Sequence, residues 1–210
     1  FPTAEQHMHI KSSDAADKGT AVAGTGVRTL KLFYLDDTYA EKTETITLNG
    51  ATAVETTAQD IFRVQYMVAL TTGSSNKAVG NISLLDHGET ITYGYMAIGN
   101  TAMRQAVYTV PFGKALFITD FSRSVIMNAV NKSCTVTLKS SYRHPDEVLS
   151  TTGLLFYPCS EMTLENSALN TLFTFPKYYP ATTDIIVTGV SSAAASGSVQ
   201  ANLYGWEETI

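Results

Sequence analysis

Three short stretches hold residues that could do chemistry. His7-Met8-His9 sets two imidazoles at i and i+2. In an extended strand these point to one side, so both could reach one metal ion. Two ligands do not complete a zinc site, and no further ligand cluster lies nearby in sequence. The expectation is two strand histidines near a chain end, without a metal. Asp86-His87-Gly88-Glu89 sets acids beside a histidine. Acid–base catalysis needs a partner held against that imidazole. The placing of this run between Leu85 and Ile91 instead predicts a polar turn. Asp36-Asp37 also reads as turn chemistry, because aspartates bond their own backbone there. It lacks further oxygen donors for calcium in sequence, though a distant loop could complete a site.

The other reactive side chains form no constellation. Serines are plentiful, but no G-x-S-x-G elbow occurs. The run from Gly73 to Gly80 lacks the G-K-[ST] and the helix of a phosphate loop. His144-Pro145-Asp146-Glu147 reads as a charged loop. The sequons at Asn81 and Asn131 matter only in a eukaryotic secretory pathway. Cys134 shares a strand face with Val136 and Leu138 and reads as a buried thiol. A bridge to Cys159 is geometrically open, and two cysteines do not decide the redox compartment. The expectation is therefore no enzyme, no catalytic residue, no cofactor and no metal.

Aromatic side chains offer a different kind of site. Tyr93, Tyr95, Tyr178, Tyr179 and Trp206 could stack on sugars. A large amphipathic ring at a strand edge also suits a protein interface. The interface is the favoured reading, with Tyr93, Tyr95, Met96, Tyr178, Tyr179 and Trp206 as its candidate residues and a glycan as the alternative ligand.

The elements that carry these residues show a period of two almost everywhere. Phe62, Val64, Tyr66, Val68 and Leu70 alternate with Arg63, Gln65, Met67 and Ala69. Similar runs cover 29–34, 43–48, 82–85, 90–97, 106–110, 115–121, 124–128, 134–140, 154–157, 161–164, 171–175, 184–190 and 198–205. Asn49-Gly50, Gly99-Asn100 and Pro111-Phe112-Gly113 punctuate them as turns. Such spacing predicts an all-β, antiparallel β-sandwich, jelly-roll-like, built as one sandwich or as two stacked sub-sandwiches. A short helix over Ser167–Leu172 is the one exception expected. Residues 1–18 read as an N-terminal arm ordered by a neighbour. Residues 19–104 form a Thr- and Gly-rich half and 105–210 an aromatic-rich half, packed as one compact unit. The Ser191–Ser198 run of small residues reads as a loop tip or a close contact.

Composition sets the surface. Of the 210 residues, 44% are hydrophobic and only 16% are charged, against roughly 25% in an ordinary domain. A neutral, hydroxyl-rich surface is covered by other subunits at little desolvation cost, so a homo-oligomer is expected, a trimer favoured. The net charge of −5 is spread along the chain, which excludes the clustered bases that sequence-independent nucleic-acid binding needs. No apolar run is long enough to span a bilayer, so no membrane partner is expected. No signal peptide is read, and a chain opening at Phe1 reads as a product of a longer one.

A combination of motifs then resembles a known group. Gly24-Thr25-Gly26-Val27-Arg28 leads to Leu35-Asp36-Asp37, then to Glu44-Thr45-Ile46-Thr47-Leu48-Asn49-Gly50 with Ala51-Thr52-Ala53-Val54, then to Phe62-Arg63-Val64. Ala106-Val107-Tyr108-Thr109-Val110-Pro111-Phe112-Gly113-Lys114 and the segment from Pro176 to Ile185 continue it. The pattern resembles tailed-bacteriophage virion proteins over about two thirds of the chain. The resemblance implies a structural component of the particle, assembled in the host cytoplasm. It would be a capsid-decorating (cement) protein bound to the major capsid protein, or else a tail-associated receptor- or glycan-binding module. It implies no catalytic residue.

Overall fold

The computed structural model describes residues 1–20, 22–104, 106–127, 132–141, 156–165, 167–192 and 197–210. Among them every element is a β-strand and every strand pair is antiparallel. The fold is all-β and of the sandwich type, in four sheets that do not close into a barrel. Contacts divide the chain into two compact units, Phe1–Gln105 and Ala106–Ile210.

The first unit holds β1 (Met8–Ser12), β2 (Val27–Leu35), β3 (Glu41–Thr47), β4 (Val54–Glu55), β5 (Arg63–Thr72), β6 (Ile82–Asp86) and β7 (Thr92–Met96). One sheet runs β4-β1-β6-β7 and the other β3-β2-β5. Alternation along β1 and β6 sends Met8, Ile10, Ile82 and Leu84 inward, where they meet Leu30, Leu32 and Met67 in one core. Each such side chain contributes about 1.5–3 kcal/mol by leaving water.

The first eighteen residues are not an arm. β1 lies between β4 and β6, and the loop after it is fixed by Asp17. That fully buried carboxylate accepts hydrogen bonds from Ser12 Oγ at 2.6 Å, Val27 N at 2.7 Å, Gly80 N at 2.8 Å and Val79 N at 3.2 Å. A poor strand pattern with small residues looks like a loose segment. Here small residues let the loop lie against neighbouring backbone: a Cβ on Gly24 would stand 2.0 Å from Ala16 O.

The second unit holds β8 (Val107–Thr109), β9 (Lys114–Met127), β10 (Cys134–Ser140), β11 (Tyr157–Leu164), β12 (Ala168–Tyr179), β13 (Asp184–Ser191) and β14 (Gly197–Thr209). Its sheets run β11-β10-β13-β8 and β12-β9-β14. Among the described residues this is the strand order of an eight-stranded jelly roll without its first strand. β8 to β14 fill the second to eighth places, and the open first place adjoins β14. Phe121, Val125, Val136, Leu138 and Ile185 from both sheets form the core. Cys134 is buried among them with its thiol free, as its strand face predicts.

Two local expectations fail for one reason. The helix over Ser167–Leu172 is instead the start of β12, and the separate runs expected over 115–121 and from 124 on are the single strand β9, Lys114–Met127. The strand runs on through Ser122-Arg123-Ser124, where the two serines face outward and Arg123 is buried. Its guanidinium lies 4.3 Å from the Phe121 ring centroid and donates to Ser160 Oγ and Thr171 Oγ1. Pairing of β12 with β9 from Ala168↔Ser124 onward decides both stretches, because ladder bonds outweigh local propensity. The loop at His144, the sequon residue Asn131 and residues 193–196 of the small-residue run lie outside the described residues.

Candidate functional site

The outer face of the β4-β1-β6-β7 sheet gathers three histidines. Antiparallel register pairs Met8 with Asp86 and His9 with both Leu85 and Glu55. Period two therefore puts His7, His9, His87 and Glu55 on one side, opposite the core. Their ligand nitrogens lie within 4.8 Å of one another. His7 Nε2 contacts His87 Nδ1, and Glu55 Oε1 is 3.3 Å from His7 Nε2. The His7 and His87 rings meet edge-on with centroids 4.1 Å apart, and His9 is 5.3 Å from His87.

A turn delivers His87. The Asp86 carboxylate accepts from Thr90 N and Ile91 N, both at 2.6 Å. Those bonds, the one from Ile91 foremost, hold its pKa below the usual carboxylate range. Asp86-His87-Gly88-Glu89 is thus the turn its spacing predicts, and Glu89 sits in it at φ 55°. Glu89 reaches back to β1, where it accepts from Lys11 Nζ and lies 3.0 Å from His9 Nδ1. Lys11 first and His9 second keep its carboxyl low. The His7-His9 pair and the His87 turn, separate in sequence, are one cluster in space. The signal that could have joined them is the β1–β6 pairing, which carries no local mark.

The second site is the outer face of β12-β9-β14. Register aligns Tyr178, Phe117 and Trp206 across the three strands. Trp206 stacks on Phe117 with centroids 5.2 Å apart and planes 11° from parallel, and Tyr178 tilts against the other edge at 5.5 Å. Trp206 is 42% exposed and Tyr178 46%. The next rows are Leu172, Asp120 and Tyr204, then Asn170, Ser122 and Asn202. Asn170 Nδ2 donates to Asp120 Oδ2 at 2.9 Å and Asn202 Nδ2 to Ser122 Oγ at 3.3 Å. Leu172 is 75% and nearby Phe175 81% exposed. β14 pairs only with β9 among the described residues, so its other edge is open.

The proposed interface residues divide. Tyr178 and Trp206 share this face, with Phe117 between them unforeseen, and Tyr95 is exposed on the first unit. Tyr93 is half-buried against the first core. Two assignments are corrected. Met96 is 0% and Tyr179 3% exposed. Each neighbours an outward residue, and alternation turns it into the core. Burial, then Cys159, pushes the Tyr179 phenol's pKa up.

No family model, no curated protein and no solved structure matches this chain.

Proposed function

We propose that the chain is a structural component of a bacteriophage virion, a capsid-decorating protein that binds and stabilises the particle as a homo-oligomer. The observation that supports this reading is the outer face of β12-β9-β14. It carries exposed Trp206, Tyr178, Leu172 and Tyr204, beside the open edge of β14. Rigid aromatic anchors on a sheet face are what interface cores are made of. A free edge of thirteen residues offers unpaired backbone groups to a neighbouring strand. The N-terminal segment Phe1–Lys18, expected to make the contact to a second virion protein, is withdrawn from that role because it belongs to the first core. The test is mass spectrometry of purified particles with stoichiometry. Copies in the hundreds support decoration, a dozen or fewer a tail position, and absence from particles ends the reading.

One observation favours a second reading, a glycan-binding module of the tail. The aromatic row Tyr178-Phe117-Trp206 lies beside carboxyl, amide and hydroxyl groups of Asp120, Asn170, Ser122 and Asn202. Stacking surface next to hydrogen-bonding side chains suits a sugar. Trp206→Ala separates the two. Under decoration, oligomers or particle binding are lost. Intact particles that no longer adsorb to cells point to the glycan.

A further inference from the structure

We infer that His7, His9 and His87 form a binding site for one divalent transition-metal ion of the zinc class. The chain has only four histidines, and three of them converge from positions eighty residues apart. Imidazole nitrogen suits zinc, copper, nickel and cobalt, whereas magnesium and calcium take oxygen ligands. A tetrahedral ion with bonds of about 2.0–2.1 Å sets neighbouring nitrogens roughly 3.3 Å apart. The three ligand nitrogens, all within 4.8 Å of one another, reach that spacing by small side-chain rotations.

The surroundings support the three imidazoles. Glu89 lies against His9 Nδ1, the carboxylate–histidine contact that fixes an imidazole's orientation and directs its other nitrogen to an ion. Glu55 Oε1 lies 3.3 Å from His7 Nε2, and its charge offsets that of the cation. Lys11 holds the far oxygen of Glu89, which fixes that carboxylate in turn. The ion would tie the start of β1 to the β6–β7 turn. Such a staple stabilises a domain without a disulfide, and neither cysteine here is in one. This inference is independent of the virion reading.

The test is calorimetric titration of the full chain with Zn2+, and visible absorption with Co2+ in its place. One ion per chain is expected, with cobalt bands of a low-symmetry nitrogen site and no heat with Mg2+. His87 is exposed in a turn, so His87→Ala keeps the fold. It should weaken zinc binding by about 100-fold or more, at the upper end of what disturbing a metal's surroundings costs. His9→Ala should do the same, while His144→Ala binds as the parent does. Zinc at 100 times its Kd should favour folding about 100-fold, and His87→Ala should abolish that gain. No binding by the parent, unchanged binding by His87→Ala and His9→Ala, or loss of binding in His144→Ala would each overturn the assignment.

Discussion

Replacing Asp17 by alanine removes one carboxylate and orphans the groups it holds. Those are the amides of Val27, Val79 and Gly80 and the hydroxyl of Ser12. The Val27 and Gly80 bonds are buried and the Val79 bond is partly so. The serine can turn to another acceptor, so the two buried amides dominate. A buried donor left without a partner costs about 1–3 kcal/mol, which puts Asp17→Ala near 4 kcal/mol. Domain stability is about 5–15 kcal/mol, so the first unit would survive barely or not at all. With a urea slope of about 2 kcal/mol per molar, the midpoint should fall by about 2 M. Asp17→Asn keeps one acceptor oxygen but turns an amide NH2 towards donors, and about half the loss is expected. The readout must follow the first unit. The single tryptophan, Trp206, lies in the second, so its fluorescence does not serve. Hydrogen exchange at Val27 and Gly80 does: both amides should be protected in the parent and exchange freely in Asp17→Ala. A midpoint shift equivalent to less than about 1 kcal/mol, a common size for unremarkable substitutions, would refute the reasoning. Residues 1–18 would then be an attachment after all.

Three further outcomes are expected. Burial pushes the Asp36 pKa up, but hydrogen bonds from Thr38, Ala40 and Lys42 outweigh it and leave the carboxyl below its ordinary value. Asp36 therefore stabilises the fold above the ordinary carboxylate range, near pH 4, and this is lost as pH falls through the lowered value. Asp36→Asn should be less stable by about 1–2 kcal/mol at neutral pH and should flatten the acid limb of the stability curve; parallel limbs would disprove the assignment. Burial and Asp60, which accepts from its hydroxyl at 3.1 Å, raise the Tyr34 pKa to about 12. The unfolded phenol ionises near pH 10, so stability should fall between about 10 and 12, and the parent-minus-Tyr34→Phe absorbance difference should appear near 12 rather than 10. Gly205 faces Phe117 O so closely that a Cβ would stand 2.0 Å away. Gly205→Ala should shift the β9–β14 register, seen as a change in Trp206 emission at or before unfolding, and an unaltered spectrum and melting curve would count against the bulge there.

What the sequence made legible was periodicity, and what it hid was pairing. Alternation along 62–70 and 134–140 is enough to place β5 and β10, because half-buried strands write their own pattern. β1 is too short to do so, and its central position comes from partners β4 and β6, which no local rule names. The same limit governs the sites. His7 and His9 share a face by period two alone. His87 joins them only through the pairing Met8↔Asp86. Trp206 and Tyr178 stood out by residue type, but Phe117, which lies between them, was assigned simply to a strand. Met96 and Tyr179 were misplaced because an exposed and a buried aromatic or sulfur side chain are the same letter, and only the phase of the strand separates them.

The motif residues that carry the resemblance bear on how the functional reading can be tested. A Cβ on Gly24 would stand 2.0 Å from Ala16 O, so that glycine lets two backbones cross. Arg28 Nε donates to Gly24 O at 3.0 Å and closes the same corner. Asn49-Gly50 turns with Gly50 at φ 63°, and Pro111-Phe112-Gly113 with Gly113 at φ 74°. Arg63 is buried with its guanidinium 3.9 Å from the Phe62 ring centroid. Buried Asp184 accepts from Thr109 Oγ1 at 2.5 Å. Each of these contacts is made within the chain and holds a turn or a strand in place. Two chains that share such a pattern share a scaffold, and a scaffold does not carry one function. The decision between decoration and glycan binding therefore rests on surface residues outside the pattern, Trp206, Tyr204, Leu172 and Asn170. Substitutions in the pattern would unfold either kind of protein alike. Substitutions on the β12-β9-β14 face leave the core in place, so only they can separate lost assembly from lost adsorption.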